Sequence, residues 1–496
     1  MKIDEKTYFD KVYGCWIGKS IGGSIGTPLE GKKEFIDLPY EYPEEILAND
    51  DLDLQLVWLD ILKRKGIKIN SQDLAEGWKN NIVYPFDEYG VAKANLKLGL
   101  KPPITGIYNN WFKNCMGAPI RSEIWACISP GKPEIAGYYA FQDACVDHWN
   151  EGVYGEIFLA VLESVVFVEN NIERAINEGI EFLPDTSKVY QVVKFTYSLH
   201  KEGKNLKEIR EKIIEKFGHH NFTDCVQNIG FIILGLLKGE GDFLKTIISA
   251  VNCGYDTDCT GATSGAIAGI LLGKEEIEKQ GKTKIDERIV TGWGINNIEV
   301  PNNIDELTEE VVRIGRMIME EDNLPEIKKP FILPEIPEFT PPLKFPFFVS
   351  QSFSLDKIED IEKEILNGDN KRFIRKEIFD TFYFPLEKYF KNSNSPQALF
   401  LSTRIKMNEK KKIKIYPATN DGVKLWIDKK LVLSYHNHND FLPAPHRPGN
   451  PLVEIKMDKG KHSILLEIFK CRDDLEFAWI IADEKNHLIV DMEYEE

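Results

Sequence analysis

Two pairs of aspartates have the residue types and spacing that could hold a metal ion. Asp50 and Asp51 stand together in Ala-Asn-Asp-Asp-Leu-Asp, and Asp256 and Asp258 lie in Cys-Gly-Tyr-Asp-Thr-Asp-Cys. Each pair comes where a polar or glycine-rich segment gives way to an apolar helical pattern, so both pairs could project carboxylates from helix N-termini into one cleft. Such carboxylates would repel one another unless a cation lay among them, and hard divalent ions such as Mg²⁺ prefer oxygen ligands.

The alternative interpretation of such a pair is helix capping. Aspartate is favoured at helix N-termini, where it accepts hydrogen bonds from free backbone N–H groups. For one pair alone capping is the better explanation, and a second pair in a very similar setting shifts the balance to metal binding. Ligation of a soft metal has little support, because the eight cysteines form no Cys-x-x-Cys and no zinc-finger spacing.

A run of small residues from Gly14 to Glu30 supplies a third candidate. Its glycines recur at helical spacing, and small residues let helices approach closely, so tight packing is the expected role of Gly18 and Gly22. Glu30 differs, because it comes directly before the loop that leads to Asn49. At that point it could act as a general base or hold a metal-bound water.

The composition of the whole chain narrows the classes of function. The chain has 496 residues, of which 43% are hydrophobic and 28% charged, as in a soluble globular protein of about two to four domains. No stretch is apolar enough to span a bilayer and the start lacks a signal peptide's apolar segment, so no membrane is expected and the cytoplasm is the expected location. A net charge of −17 argues against nucleic acid as a partner, yet it leaves room for a small phosphate-bearing ligand.

The residue pattern divides the chain into three parts. Residues 1–322 show mostly helical spacing of apolar residues, which predicts an all-α domain. Residues 323–347 carry seven prolines and are expected to form an extended linker. Residues 348–496 contain short β-rich segments separated by turns, which predict a β-sandwich of antiparallel strands. The predicted fold class is therefore multidomain α and β.

Taken together, the chemistry-bearing elements resemble the ADP-ribosylglycohydrolase family, all-α proteins that include dinitrogenase reductase-activating glycohydrolase. In that family a glycine-rich first helix ends in a Glu, a Thr-Asp-Asp-Thr motif follows, and a late Gly-Gly-Asp-Thr-Asp-Thr motif opens a helix of small residues. The matching segments here are 26–30, 49–52 and 254–260. The resemblance covers residues 1–320, and three motifs in the right order are more specific than any one of them.

The resemblance implies hydrolysis of a ribosyl glycosidic bond, of ADP-ribose or a related group, by a metal-activated water. The implied substrates are an ADP-ribosylated protein or a ribosyl or glycosidic small molecule. The implied cofactor is Mg²⁺, as one or two ions, with Mn²⁺ as a substitute. Glu30 and Asp51 would be the catalytic residues, and the candidate metal ligands are Asn49, Asp50, Asp51, Asp256, Asp258 and Thr260.

Three positions depart from the family's motifs. Asn49 stands for a Thr and keeps a side-chain oxygen, whereas Cys259 replaces the final Thr of the late motif. A thiol is a poor ligand for Mg²⁺, so either Thr260 supplies an oxygen from the next position or one of the two metal sites is weakened. Leu52 also replaces a Thr.

Substrate contacts are expected from the middle of the helical region, where loops line the cleft in the resembled family. The candidates are Arg121, Trp125, His148 and Trp149. His148 could donate to a hydroxyl or phosphate, and Trp125 or Trp149 could stack on a base or sugar. The competing interpretation is that His148 packs at a helix start and that the nearby aspartates only orient its ring.

The C-terminal region resembles the PA14-like β-sandwich that is often attached to carbohydrate-active proteins. The resemblance lies in the Asn-Asp-Gly turn after Thr419 and in the strand patterns that follow it. Such modules can bind sugars, in some cases through Ca²⁺, and a polar loop offers the side chains of His436, His438, Asp440 and His446. The alternative is that this loop is simply solvated.

Three functions are consistent with these features. The first is a metal-dependent glycoside hydrolase that acts on ADP-ribose or a related ribosyl group. The second keeps the fold and the metal but acts on another glycan or glycoside, which the sandwich module favours. The third is a non-catalytic ligand-binding protein whose metal site is degraded by Cys259.

Overall fold

The computed structural model describes residues 3–281, 287–391, 395–436, 440–447 and 451–495. The chain folds into two compact units, the first made of Met1–Tyr84 with Lys101–Pro337 and the second of Pro85–Leu100 with Glu338–Glu496. The later boundary falls inside the predicted proline-rich linker. Pro85–Leu100 differs from the expectation, because it folds with the C-terminal unit although its neighbours along the chain belong to the helical one.

The first unit is built from helices, which confirms the predicted all-α class. In the ranges that the structure describes, no helix is both long and apolar enough to cross a lipid bilayer. The helices, numbered along the whole chain, are α1 (Glu5–Gly26), α2 (Asp50–Lys65), α3 (Ser71–Asn80), α4 (Asp87–Lys97), α5 (Ile104–Ile107), α6 (Ser122–Cys127), α7 (Pro133–Ala144), α8 (Glu151–Val166), α9 (Ile172–Ile180), α10 (Lys188–Lys201), α11 (Leu206–Phe217), α12 (Cys225–Gly239), α13 (Phe243–Val251), α14 (Thr257–Leu272), α15 (Lys274–Gln280), α16 (Ile304–Glu320) and α17 (Ile358–Leu366).

Helices α1 and α14 pack with their backbones in direct contact. Along one face of α1 every fourth residue is a glycine, and Gly14, Gly18 and Gly22 each face a glycine of α14, which runs in the opposite direction. A Cβ atom on Gly18 would lie 2.1 Å from the carbonyl oxygen of Gly265, and one on Gly22 would lie 1.9 Å from that of Gly261. No side chain fits there, which confirms the tight packing expected for Gly18 and Gly22 and fixes the register of the two helices.

Helix α2 begins where local chemistry predicts it. Asn49 is its N-cap and accepts a hydrogen bond of 2.7 Å from the backbone N–H of Asp51. Acidic residues fill the first turn, and Lys63, Arg64 and Lys65 fill the last, so both ends complement the helix dipole. The first aspartate pair is therefore held at the N-terminus of a well-capped helix.

The second unit is a β-sandwich, as predicted, with antiparallel strand pairs throughout its described part. One sheet has the order β3-β1-β4-β9-β6-β7, with β2 and β11 also paired to β4, and the other has the order β10-β5-β8. The strands are β1 (Phe345–Ser350), β2 (Phe353–Ser354), β3 (Phe373–Phe379), β4 (Gln397–Met407), β5 (Lys411–Thr419), β6 (Gly422–Ile427), β7 (Lys430–His436), β8 (Val453–Met457), β9 (Gly460–Lys470), β10 (Phe477–Ala482) and β11 (Glu493–Tyr494).

The two sheets enclose an aromatic core. The rings of Phe347 in β1 and Trp479 in β10 meet edge to face with their centroids 5.9 Å apart, so the sheets pack against each other. Helix α17 buries Ile361 and its neighbours against Phe400 and Phe469 of the larger sheet. This burial stabilises the helix, which is too short to be stable alone.

Candidate active site

The end of α1 and the start of α14 bring Glu30 beside the second aspartate pair. Helix α1 ends at Gly26, and the short 3₁₀ turn Thr27–Leu29 leads to Glu30, whose side chain is exposed. Asp256 is the N-cap residue of α14, which begins at Thr257. A Cβ atom on Gly26 would lie 2.1 Å from the carbonyl oxygen of Thr257, so the two helix ends meet without a gap.

Two groups of side chains have the spacing of metal ligands. One carboxylate oxygen each of Glu30, Asp256 and Asp258 lie within 4.8 Å of one another. One oxygen each of Asp51 and Asp258 and the sulfur of Cys259 form a second group within the same limit. Because Asp258 belongs to both groups, residues from three separate stretches of the chain converge on one site.

Several of these buried oxygens have no hydrogen-bond partner among the described residues. They are both carboxylate oxygens of Asp51, Oδ2 of Asp256 and Oδ1 of Asp258, and all three side chains are buried. An unpartnered carboxylate oxygen in the interior costs free energy. A divalent cation takes carboxylate oxygens as ligands and would satisfy all of them, so this donor set fits a metal ion.

Burial and mutual repulsion raise the pKa values of the clustered acids. Burial raises the pKa of Asp51 well above its usual range, and the charges of Asp258 and Asp50 add to the effect. Burial, together with Asp258 and Glu30, does the same to the pKa of Asp256. The pKa of Asp258 is raised to about 7 by burial and by the charges of Glu30 and Asp50. Without a cation the site therefore favours protonated acids at neutral pH.

A buried lysine, which the sequence analysis did not single out, supports the first aspartate pair. The ammonium nitrogen of Lys19 lies 3.6 Å from Oδ1 of Asp51 and 2.8 Å from Oε1 of Glu123. The amide of Gln55 donates to Oε2 of the same glutamate at 2.8 Å. The signal in the sequence was a single lysine within the small-residue run of α1, because a charge inside such a packed face needs a buried partner.

The other predicted metal ligands, Asn49, Asp50 and Thr260, also lie at the starts of α2 and α14, but their side chains differ in their contacts. Asn49 uses its side-chain oxygen to cap α2, and Asp50 is half-buried at the first position of that helix. Thr260 is buried, and its hydroxyl donates to the carbonyl oxygen of Thr257 at 3.3 Å. The side chain that stands with Asp51 at metal-ligand spacing is Cys259 and not Thr260.

The four residues predicted to contact the substrate lie in the protein interior. Arg121, Trp125 and His148 have no exposed surface, and Trp149 is 4% exposed. The guanidinium of Arg121 donates to Asp143 and Asp147 at 2.8 to 3.1 Å. Arg121, Trp125 and His148 therefore belong to an internal polar network, and Trp149, next to His148 in the chain, is buried as well.

The same network defines the roles of the two rings. Nδ1 of His148 lies 3.0 Å from Oδ1 of Asp147, as in the alternative in which an aspartate orients the imidazole. The indole N–H of Trp125 lies 3.1 Å from carboxylate oxygens of both Asp143 and Glu156. Both rings thus serve the packing of buried acids.

Two further polar residues close to these acids in the fold or the chain were missed in the sequence. Asp53 is buried, accepts from the hydroxyl of Tyr84 at 2.8 Å and has its pKa raised to about 6 by burial. It also accepts from the backbone N–H of Gly292 at 3.0 Å. The side-chain oxygen of Asn228 accepts from the backbone N–H of Asp256 at 3.3 Å and so fixes the start of α14. Asp53 was visible as a third acid in the first motif.

A half-buried aromatic cluster borders the residue that follows Glu30. A Cβ atom on Gly31 would lie 3.8 Å from the ring of Phe222. Close to Phe222 in the chain, the rings of His219 and His220 stack with centroids 4.3 Å apart, and that of Trp111 lies 5.8 Å from His219. This cluster, rather than the buried tryptophans, offers aromatic surface beside the acids.

The polar loop of the second unit shows no comparable ligand group within the described residues. His436 and Asp440 are exposed, and His446 lies half-buried, with Nε2 3.7 Å from an oxygen of Asp87. His438 falls outside the described residues. Binding of a sugar or of Ca²⁺ by this loop stays a prediction.

Similarity to known proteins identifies the family of the chain. The model of the ADP-ribosylglycohydrolase family matches residues 4–316. The chain therefore belongs to the ADP-ribosylglycohydrolase family, which confirms the resemblance, and it is a hydrolase of the glycohydrolase class. No curated protein matches the chain.

Solved structures with similarity to parts of the chain include the following three. An ADP-ribosylglycohydrolase-related protein complex shares 16% identity, covers 63% of this chain and 99% of its own, and has a TM-score of 0.43. The PA14 sugar-binding domain of an RTX adhesin shares 12% identity over 29% of this chain and 71% of its own, with a TM-score of 0.17. The PA14 domain of an antifreeze protein shares 11% identity over 32% of this chain and 96% of its own, with a TM-score of 0.21.

Proposed function

We propose that this glycohydrolase depends on a divalent metal and cleaves a ribosyl glycosidic bond, with an ADP-ribosylated protein or a related ribosyl compound as substrate. The observation that carries the proposal is the position of Glu30. Its exposed carboxylate lies within 4.8 Å of oxygens of Asp256 and Asp258, two buried acids that each have an oxygen without a hydrogen-bond partner. An accessible acid beside a cation-binding group is what metal-assisted hydrolysis requires.

One or two metal ions would be held by Asp51, Asp256 and Asp258, whose buried oxygens include ones without partners among the described residues and of which Asp258 belongs to both ligand groups. When bound, a divalent ion supplies positive charge that polarises its ligand oxygens and makes a neighbouring water more acidic. The charge of Lys19, 3.6 Å from Asp51, offsets part of the repulsion among the acids. The aspartates can then lie close together without all holding protons.

Glu30 would handle the protons of the reaction. In hydrolysis, water adds to the anomeric carbon of the ribose, the glycosidic bond breaks, and the leaving group gains a proton. A carboxylate exposed at the cleft can take the proton from the attacking water and return one to the leaving group. Glu30 is suited to this role because it follows a rigid helix end instead of a long loop.

The surroundings of Glu30 favour an anionic, aromatic substrate such as ADP-ribose. Lys32 and Lys33, two and three residues after Glu30, are exposed, and their charges would attract a diphosphate. The cluster around Phe222 and Trp111 offers a surface on which a base can stack. A neutral oligosaccharide could stack on the aromatic surface but would make no use of the lysine charges.

A pair of matched variants tests the proposal. Glu30→Gln removes the carboxylate at the cleft, and Glu34→Gln makes the same change at an exposed glutamate four residues later. With Mg²⁺ present, release of free ADP-ribose from an ADP-ribosylated protein should fall by about 10² to 10⁴ in Glu30→Gln and stay unchanged in Glu34→Gln. Equal rates in the two variants, or release of reducing sugar from oligosaccharides in place of ADP-ribose, would refute it.

A further inference from the structure

Cys259 lies inside the metal-ligand group formed by Asp51 and Asp258. It is in the first turn of α14, one residue after Asp258, and is 8% exposed. Its sulfur lies within 4.8 Å of one oxygen from each aspartate. In a tetrahedral site with metal–sulfur bonds of about 2.3 Å and metal–oxygen bonds of about 2.1 Å, ligand atoms are of the order of 3.5 Å apart, so small side-chain movements would close this group around an ion.

The aspartates point independently to a cation at this place. Asp51 has no exposed surface, and neither of its carboxylate oxygens has a hydrogen-bond partner among the described residues. Asp258 is 7% exposed, and its Oδ1 also has no hydrogen-bond partner among the described residues. The interior therefore holds unsatisfied acceptors next to a thiol, and a cation would satisfy both kinds of ligand.

The chemistry of this donor set differs from that of its neighbour. Glu30, Asp256 and Asp258 offer oxygen alone, which suits Mg²⁺ or Mn²⁺. A sulfur ligand suits Mg²⁺ poorly, whereas Zn²⁺ and Co²⁺ accept sulfur and carboxylate oxygen together. A motif of paired cysteines does not reveal such a site, because the ligands of the site are one thiol and two carboxylates.

We propose that Asp51, Asp258 and Cys259 form a mixed oxygen and sulfur site that binds Zn²⁺ or Co²⁺ in preference to Mg²⁺. The inference rests on the proposed function only in that the ion lies in the same cleft. On binding, the sulfur forms a bond to the metal and its proton passes to the buffer, with no change in oxidation state. The cleft would then hold two chemically different metal positions, which share Asp258.

Titration with Co²⁺ tests the inference without any measurement of activity. Metal-free wild type should develop a sulfur-to-cobalt charge-transfer band in the near ultraviolet. It should also release about one proton more per ion than Cys259→Ser does, because the thiol loses its proton in addition to those displaced from the aspartates. Cys259→Ser and Cys259→Thr should abolish the band and weaken Co²⁺ binding by about ten- to a hundredfold, while both leave Mg²⁺ affinity equal or higher. Cys471→Ser, at an exposed thiol of the second unit, is the matched control and should behave as wild type.

The outcomes separate this inference from the proposed function. A wild-type Co²⁺ complex without the band, or a band that persists in Cys259→Ser, overturns the sulfur site and leaves Mg²⁺-dependent hydrolysis untouched. X-ray absorption of the Zn²⁺ complex gives an independent reading, with a sulfur neighbour at about 2.3 Å expected and oxygen or nitrogen neighbours alone contradicting the inference. Circular dichroism of both Cys259 variants checks that they are folded.

Discussion

The hydroxyl of Thr257 donates a hydrogen bond of 2.9 Å to the carbonyl oxygen of Gly26. This bond ties the last turn of α1 to the first turn of α14, at the point where the glycine faces of the two helices end. Four residues beyond Gly26 stands Glu30, and one residue before Thr257 stands Asp256. The packing of two helices thus determines which acids meet in the cleft.

The glycine contact should be essential for stability. Gly22→Ala places a Cβ atom 1.9 Å from the carbonyl oxygen of Gly261, so the helices must separate. We expect the free energy of unfolding to fall by about 1 to 3 kcal/mol, measured by urea denaturation, and metal affinity to fall with it. Gly179→Ala in α9 is the control, because its Cβ would meet no atom closer than 3.4 Å. A fully stable Gly22→Ala would contradict the described helix contact.

The buried lysine should matter far more than an ion pair at the surface. Lys19→Met leaves Asp51 and Glu123 without their cation in the interior, and a loss of about 3 to 5 kcal/mol in the free energy of unfolding is expected. Lys63→Met is the matched control, since Lys63 pairs with Glu310 at a partly exposed site worth about 0 to 1 kcal/mol. Similar losses in the two variants would show that Lys19 is not the counter-ion of a buried site.

The metal-free protein should lose stability as the pH rises toward 7. The pKa of Asp258 in the folded state is raised to about 7, above its usual value of 3.8, so the folded state binds this proton more tightly than the unfolded state. That contribution is complete below pH 3.8 and is lost as the pH rises through 7. Urea midpoints in EDTA should therefore fall with pH more steeply for wild type than for Asp258→Asn. Parallel curves would count against the raised pKa.

Replacement of the buried Trp125 and of the half-buried Trp111 should have opposite effects on stability and on KM. Trp125→Phe deprives two buried carboxylates of a donor, so it should cost about 1 to 3 kcal/mol of stability and leave KM unchanged. Trp111→Ala, in the half-buried aromatic cluster, should raise KM for an ADP-ribosyl substrate and leave the melting temperature close to that of wild type. An increase in KM for Trp125→Phe without loss of stability would restore it as a substrate contact.

Much of the fold could be predicted because its signals are local. The glycine spacing of α1, the cap at Asn49 and the prolines after Leu324 each act within a few residues of the chain. The aspartates of the site could be named for the same reason, since they lie at helix starts. The motifs of the resembled family predicted the order in which these residues occur along the chain.

The rest depended on which side chains face inward once the helices pack. Arg121 and His148 carry polar groups suited to a ligand, yet the packing of the surrounding helices buries both side chains in the interior. Helix α4 was recognisable as helical, but its place in the second unit depends on contacts far along the chain. No local pattern encodes either outcome.

The most direct test of the central claim is calorimetric titration of Mg²⁺ into metal-free wild type and Asp258→Asn. Asp258 belongs to both ligand groups, so its loss should weaken binding by at least about tenfold. We predict saturable Mg²⁺ binding by wild type and strongly reduced affinity in the variant. Absence of binding by wild type, or equal affinity in both proteins, would contradict the convergence of these acids on a divalent cation.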